Sequence, residues 1–448
     1  MPYRQDISAC LRDRVEYGLS SSELSFFLDA LNPAMERLRE AYRERRIPLL
    51  RTPERVDDWP RLQAVADRYR ASFDDVVVLG TGGSSLGGRA LYNMANVGFD
   101  DGDRRGPNLH IVTNIDPYSF QALLRSLDMR RTGFIAISKS GGTAETVLQT
   151  MTVLPMLERL LGPRRVGRAM TIVTEPKDNP MRRIAERYAL PVLDHDEAVG
   201  GRYSVLTAVG MLPSLIAGLD ARAVRDGARE VLAHSLRTGS PADCAPALGA
   251  AVAVGLERYH DIGSSVMLAY SDRLGSLARW YRQLWAESLG KEGKGTTPIY
   301  AAGPVDQHSQ LQLWLDGPRD KMFTVLGGPI APCSPPVDCS HIGDDRLDYL
   351  NGASLGELLD VSRRATTETL IANDRPVRTI DMAAIDERSM GALMMHYMLE
   401  TILAADLLCV NPFDQPAVEH GKKLARRLLS ARGEHRTVPA SREEAAAA

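Results

Sequence analysis

Long hydrophobic runs are missing from this chain of 448 residues. No window approaches the roughly 18 uninterrupted apolar residues of a transmembrane helix, so no membrane span is expected. The N-terminus, MPYRQDISAC, has no apolar core of the kind a signal peptide needs. Charge of one sign is lacking as well. The formal net charge is −3, which excludes an overall pull toward nucleic acid or a membrane surface but permits a local basic patch for a small anion. Cysteine is scarce. Cys10, Cys244, Cys333, Cys339 and Cys409 form no CxxC pair and no Cys/His cluster with zinc spacing. Free thiols in a reducing cytoplasm are expected, and Cys409, inside Leu407-Leu408-Cys409-Val410, reads as a buried small hydrophobe. No short tandem repeat is visible. The two common nucleotide loops are also missing. No GxGxxG occurs, and the glycines from Gly80 to Gly88 are followed by Arg89, which breaks the GxxxxGK[ST] pattern.

What is present suits a globular protein, with 44% hydrophobic and 25% charged residues. The length predicts two or three domain-like units. Residues 1–70 are rich in Leu, Arg and Glu, show no clear strand, and read as helices broken at Pro33, Pro48, Pro53 and Pro60. Short apolar runs then begin. Val76–Leu79, His110–Thr113, Phe134–Ile137 and Met170–Thr174 read as buried parallel strands, with helices near 117–128 and 144–161. Strands alternating with helices predict a doubly wound α/β unit over 71–215. A second unit, 216–430, opens with helices near 220–260. Strands follow at Ser265–Tyr270 and Met322–Leu326, with helices near 275–288, 352–371, 387–407 and from about 415. The segment 328–348 reads as a long loop, and 431–448 as a fraying tail.

Phosphate binding is the clearest chemistry. Ser138-Lys139-Ser140-Gly141-Gly142-Thr143 joins an expected strand to an expected helix. Free backbone N–H groups and the helix dipole favour an anion there. Ser138, Ser140 and Thr143 add hydroxyls, Lys139 adds charge, and the glycines permit tight geometry. The blander reading is an ordinary Ser/Thr-capped helix. The Gly80–Gly88 loop implies close backbone approach, either in packing or to a sugar through Ser84. Arg202, after Gly200-Gly201, suits stabilisation of an oxyanion or enediolate, or is a surface arginine. Gln283 and Glu287 share a helix face, so Glu287 is either a general base or a solvated carboxylate. His308, in Asp306-Gln307-His308-Ser309-Gln310, is a candidate acid/base group or simply a hydrogen-bonded histidine. Gln415 and Lys422 flank the start of the closing helix, with Lys422 about two turns in. A surface lysine is the bland alternative.

Together, GTGGSSLGG, SKSGGT, VGGRYS, ESLGK, DQHSQ and NPFDQPAVEHGK run in this order from residue 80 to 422. In this the chain closely resembles the glucose-6-phosphate isomerase family, in its shorter bacterial form. The resemblance implies an α/β fold of two sugar-isomerase-type subdomains, each a mostly parallel sheet flanked by helices, with N-terminal helices and a C-terminal helix. It implies reversible conversion of glucose 6-phosphate and fructose 6-phosphate, in glycolysis and gluconeogenesis, without metal or organic cofactor. By the same resemblance Glu287 is the base that moves a proton between C2 and C1, and His308 and Lys422 open the sugar ring. Arg202 stabilises the intermediate, and Ser84, Ser138, Lys139, Ser140, Thr143, Gln283 and Gln415 contact substrate. It further implies a homodimer in which His308 reaches the partner's site. Ala417 stands where the family often has Gly. Two rival readings share the phosphate loop. One is a non-catalytic phosphosugar sensor, which could dispense with Glu287, His308 and Lys422. The other is a different phosphosugar enzyme. An aminosugar transferase needs an ammonia-delivering domain for which no segment is left over, while use of mannose 6-phosphate stays open.

Overall fold

The computed structural model describes residues 1–96, 105–329 and 334–436, the last five by backbone alone. Cys333 and the tail from 437 onward lie outside the described residues. The described chain contains ten strands: β1 (Tyr3–Asp6), β2 (Asp75–Leu79), β3 (Asn108–Val112), β4 (Thr132–Ile137), β5 (Met170–Thr174), β6 (Val192–Asp194), β7 (Ser264–Ala269), β8 (Thr297–Ala302), β9 (Lys321–Gly327) and β10 (Val377–Met382). The six strands expected from apolar runs are β2, β3, β4, β5, β7 and β9.

The strands form two five-stranded sheets. The first has the order β3-β2-β4-β5-β6 and is parallel throughout. Helices cover both of its faces, so Val76 to Leu79 are buried on each side and the strand is apolar without alternation. The second has the order β1-β10-β9-β7-β8 and is parallel except for β1, which runs against β10. In the first sheet the chain passes from β2 to β3 on one side, then crosses to β4 on the other. The crevice at the carboxyl ends of β2 and β4 is therefore a topological switch point, the usual ligand position in such sheets. Leu79 pairs with Ala136. The Gly80–Gly88 and Ser138–Thr143 loops thus leave the same edge side by side.

The Glu387–Leu407 helix is the central pillar, buried around nearly its whole circumference. It packs on the Ala221–Arg237 and Ala245–His260 helices. Gly391 and Gly227 permit the first of these contacts, since a Cβ on either would overlap a backbone carbonyl of the opposite helix, at Val224 or Arg388. A buried polar chain ties β1 to this pillar. Tyr3 Oη lies 2.7 Å from His396 Nδ1, His396 Nε2 lies 2.8 Å from Glu400, and Glu400 accepts both Arg378 bonds at 2.8 and 2.9 Å. Burial pushes the His396 pKa down. A neutral ring that accepts from Tyr3 and donates to Glu400 satisfies every link.

Four local expectations are corrected. Residues 1–70 are not wholly helical, because Tyr3–Asp6 is a strand. Its backbone pairs with β10 although it carries no apolar run. Pro33 does not break a helix but sits inside Ser21–Arg43. Its missing N–H leaves the Asp29 carbonyl, and Asn32 Nδ2 donates to that oxygen at 3.2 Å. Cys409 is exposed rather than buried. The pillar helix has ended, Leu408 takes the inward position, and Cys409 turns out at a φ of 53°. The closing helix begins at Val418 and runs to Arg436, so Lys422 lies about one turn into it. Outside 330–333, the 328–348 segment has only short 3₁₀ turns, at Ser340–Ile342 and from Asp345. No helix among the described residues is long and apolar enough to cross a membrane.

Candidate active site

The Ser138–Thr143 loop follows β4. Ser138 N–H donates to Val173 O at 3.0 Å, so the loop continues the sheet edge before turning. Gly141 takes a φ of 63°, and a Cβ there would overlap the Asn179 side chain. Thr143 is the N-cap residue of the Ala144–Leu161 helix, yet its side chain makes no capping bond. Its hydroxyl instead accepts from Ser138 Oγ at 3.0 Å. This decides against an ordinary capped helix. The first amides of the helix have no side-chain cap.

Lys139 does something the sequence did not suggest. Its Nζ donates to the carbonyls of Glu197 at 2.6 Å and Val199 at 3.1 Å. Two of its three donors are therefore occupied within the protein. Burial lowers its pKa below the usual lysine range. Those carbonyls belong to the segment that leads into Gly200-Gly201-Arg202, so the Ser138–Thr143 loop and the Arg202 turn are fastened together.

The glycine-rich loop packs on the same turn. A Cβ on Gly83 would overlap Gly201, and one on Gly82, at a φ of 60°, would lie 2.9 Å from Gln283 Nε2. The close approach expected of these glycines is thus to Gly201 and Gln283. Ser84 sits half-buried in the turn beside them, with no hydrogen bond to its hydroxyl among the described residues. Thr81 Oγ1 is buried without a protein partner.

Arg202 is the centre of the arrangement. Its side chain is 2% exposed, so it is not a surface arginine. Nε donates to Ser288 Oγ at 2.8 Å. Nη1 donates to Glu287 Oε2 at 3.3 Å and Gln415 Oε1 at 2.6 Å, and Nη2 to the carbonyls of Pro412 at 2.6 Å and Asp414 at 2.9 Å. Glu287 is 31% exposed and lies near the end of the Gly275–Leu289 helix. Gln283, one turn earlier, donates to Glu287 Oε1 at 2.9 Å. The carboxylate is thereby held from both sides and still reaches the open crevice. Trp285 points the other way, into the core, with its Nε1 on Thr296 Oγ1 at 2.9 Å.

Not every candidate joins this cluster. Ser138, Lys139, Ser140 and Thr143 stand at the edge of the first sheet, with Ser84 in the adjoining loop. Arg202, Gln283, Glu287 and Gln415 form one hydrogen-bonded group. His308 is exposed in the Val305–Ser309 helix that follows β8, and its ring has no hydrogen-bond partner among the described residues. Lys422 is 63% exposed and paired with Glu419 at 2.7 Å. Among the described residues no group of three His, Cys, Asp or Glu side chains is placed to hold a metal ion. Sequence reasoning did not single out Ser288 or Lys291, which hold Arg202 and the 411–415 turn. Their one signal was adjacency to Glu287 in the ESLGK motif.

Comparison with known proteins covers most of the chain. The model of the phosphoglucose isomerase family matches residues 66–307 and 356–446. The chain belongs to that family. It is 35% identical over 413 residues to a glucose-6-phosphate isomerase of Rubrobacter xylanophilus, covering 92% of this chain and 94% of that one. It is 37% identical over 372 residues to a Thermus thermophilus glucose-6-phosphate isomerase, covering 81% and 86%. Among solved structures, a hypothetical protein of Thermus thermophilus superposes with a TM-score of 0.81 at 32% identity, covering 95% of this chain and 99% of that one. A glucose-6-phosphate isomerase of Chlamydia trachomatis shares the fold, with a TM-score of 0.72 at 22% identity over 84% and 73%. The family match takes in Ser84, the Ser138–Thr143 loop, Arg202, Gln283, Glu287, Gln415 and Lys422, while His308 follows directly on its first segment.

Proposed function

We propose that this chain interconverts glucose 6-phosphate and fructose 6-phosphate by proton transfer through a cis-enediol, as a step of glycolysis and gluconeogenesis in the cytoplasm. The observation that carries the reading is the Gln283–Glu287–Arg202 group beside an uncapped helix N-terminus. Aldose–ketose exchange needs a base that takes a proton from one carbon and returns it to the next. Glu287 is a carboxylate held at a crevice, which suits that task. The oxygen of the enediolate gains negative charge, and Arg202 is a fixed positive charge bonded to Glu287. The Ser138–Thr143 loop anchors the phosphate at the far end of the sugar.

The same reading assigns ring opening to His308 and Lys422, with His308 supplied by a partner copy. Chain direction supports this. The Gly275–Leu289 helix runs back from the end of β7 toward the start of β8, with Glu287 at its return end. His308 follows the opposite end of β8. A six-residue strand spans about 20 Å, so one chain holds Glu287 and His308 at opposite edges of the second sheet. Surface composition favours a second copy. Val305, Leu313, Leu355, Leu358 and Val361 are exposed on the elements around His308. The closing helix exposes all its described side chains, including Leu424, Leu428 and Leu429. Apolar surface left open on a lone chain points to an interface.

The direct test is turnover. Purified protein given fructose 6-phosphate should form glucose 6-phosphate, read by coupled oxidation, at a rate within the ordinary enzyme range of about 1–10³ s⁻¹. Binding without turnover would favour the sensor reading instead. Mannose 6-phosphate run in parallel reports epimer selectivity. Lys139 gives a second expectation. Lys139→Ala removes a charge near the phosphate and two ties to the Arg202 segment, so KM should rise about tenfold and kcat should fall as well. A rise in KM alone would mean that the ties to Glu197 and Val199 do not matter for the chemistry.

A further inference from the structure

We propose that Lys291 is a positioning residue for this reaction, holding the Asn411–Gln415 turn against the end of the Gly275–Leu289 helix and so fixing Arg202 around Glu287. Lys291 lies just beyond that helix, and its side chain is 12% exposed. Its ammonium meets three acceptors. It donates to Ser288 O at 3.1 Å and to Asn411 O, and pairs with Asp414 Oδ1 at 2.8 Å. An ammonium has three donors, so all are used within the protein and none is left for substrate. The turn it grips is closed on itself. Asn411 Nδ2 donates to Asp414 Oδ2 at 3.0 Å, and Phe413 N–H donates to Asn411 Oδ1 at 3.0 Å. The bond from Lys291 also holds the Asp414 carboxyl below the usual range, so Asp414 stays ionised as its partner.

Arg202 depends on this turn. Three of its five hydrogen bonds go there, to Pro412 O, Asp414 O and Gln415 Oε1. The other two, to Ser288 Oγ and Glu287, go to the helix end. Lys291 bridges the same two pieces of chain, from Ser288 to Asn411 and Asp414. Two cations therefore lock one turn to one helix end. One of them faces the reacting carboxylate, and the other has no route to it. Release of the turn would free both Nη atoms of Arg202, whose remaining strong partner is Glu287. The base would then be engaged more tightly and the guanidinium drawn off its line to the enediolate. The phosphate loop lies at the first sheet and makes no contact with Lys291. Substrate affinity should therefore fall only by what Gln415, carried on the turn, contributes.

This inference rests on Arg202 acting on the intermediate, so the experiment includes both residues. Lys291→Met is expected to lower kcat about 10- to 100-fold, the effect of misplacing a catalytic group by about 1 Å. KM for fructose 6-phosphate should rise by no more than about threefold, because the phosphate anchor is untouched and only the Gln415 contact is loosened. Asp414→Asn keeps an acceptor and should lower kcat less. Lys291→Met combined with Asp414→Asn should be no worse than Lys291→Met alone, since the hold of Asp414 on Lys291 is already lost in the single variant. Thermal melts of each variant separate this from simple loss of folded enzyme. If Lys291→Met does not fold, the kcat and KM of Asp414→Asn carry the same reading. An unchanged kcat in a folded variant overturns the proposal, and so does a raised KM with kcat intact. Arg202→Met separates the two layers. If it keeps full kcat, the role given to Arg202 fails. If it loses kcat while Lys291→Met does not, only the positioning role fails.

Discussion

Glu287→Gln is expected to lower kcat about 10³-fold, within the 10²- to 10⁴-fold range of a general base, with KM changed by less than a few-fold. The geometry makes this substitution unusually clean. Glutamine has the same shape, so the bond from Gln283 Nε2 at 2.9 Å keeps an acceptor in the amide oxygen. The amide nitrogen then faces Arg202 Nη1, donor against donor, so that one bond is lost, but the other four bonds of the guanidinium remain and keep it in place. What disappears is the ability to accept and return a proton. The phosphate loop is elsewhere, at the end of β4, so binding should persist. Steady-state kinetics with fructose 6-phosphate would check this, alongside a binding measurement on the inactive variant. Activity near the wild-type level would remove Glu287 as the base. Loss of binding together with activity would mean that the carboxylate holds substrate rather than moving its proton.

The clarity of the strands and their loops in the sequence and the obscurity of the ties that support the site have one physical origin. Continuous apolar strands announce themselves, because a parallel strand covered on both faces has no polar positions. Hence β2, β4 and β5 were legible. The loops after them were legible too, since glycine and hydroxyl residues at a strand-to-helix turn have few other uses. The strands β1 and β10 were not. Tyr3-Arg4-Gln5-Asp6 is held by backbone pairing and by one buried tyrosine. In Val377-Arg378-Thr379-Ile380-Asp381-Met382 a charged residue occupies the core, with Glu400 as its buried counter-ion. Hydropathy treats Arg378 as surface because its partner is 22 residues away on another element. The same limit hid Lys139's ties to Glu197 and Val199, and those of Lys291 to Asn411 and Asp414. A lysine's sequence neighbours do not reveal which carbonyls will converge on it. Pro33 failed in the opposite direction, since a strong local rule was offset by the side chain of Asn32.

Mixing two inactive variants should restore activity. Glu287→Gln lacks the base and His308→Ala lacks the ring-opening group, so each alone should be strongly impaired. If His308 serves the partner's site, a dimer with one chain of each kind contains one site with both residues intact and one with neither. Random pairing at equal amounts makes about half of the dimers mixed. One site in two is then competent in each, and the mixture should recover about a quarter of wild-type activity. A site built within one chain gives no recovery at all, because no chain carries both residues. The contrast is large, from the residual level of the parents to a sizeable fraction of full rate. The chain path argues for recovery, because β8 separates the return end of the Gly275–Leu289 helix from the Val305–Ser309 helix. His308 is fixed there by its neighbours. Asp306 accepts from Ala302 N–H at 2.7 Å, and Gln307 Oε1 accepts from Tyr270 Oη at 2.8 Å and Thr366 Oγ1 at 3.1 Å. A histidine whose flanking residues are anchored so firmly at that edge is poorly placed to swing back to Glu287 of its own chain. Coexpression of the two variants with different tags, isolation of the mixed dimer and a coupled assay would read the outcome. A mixed dimer with no more activity than its parents would return His308 to its own chain and remove the reason for placing the partner at this site.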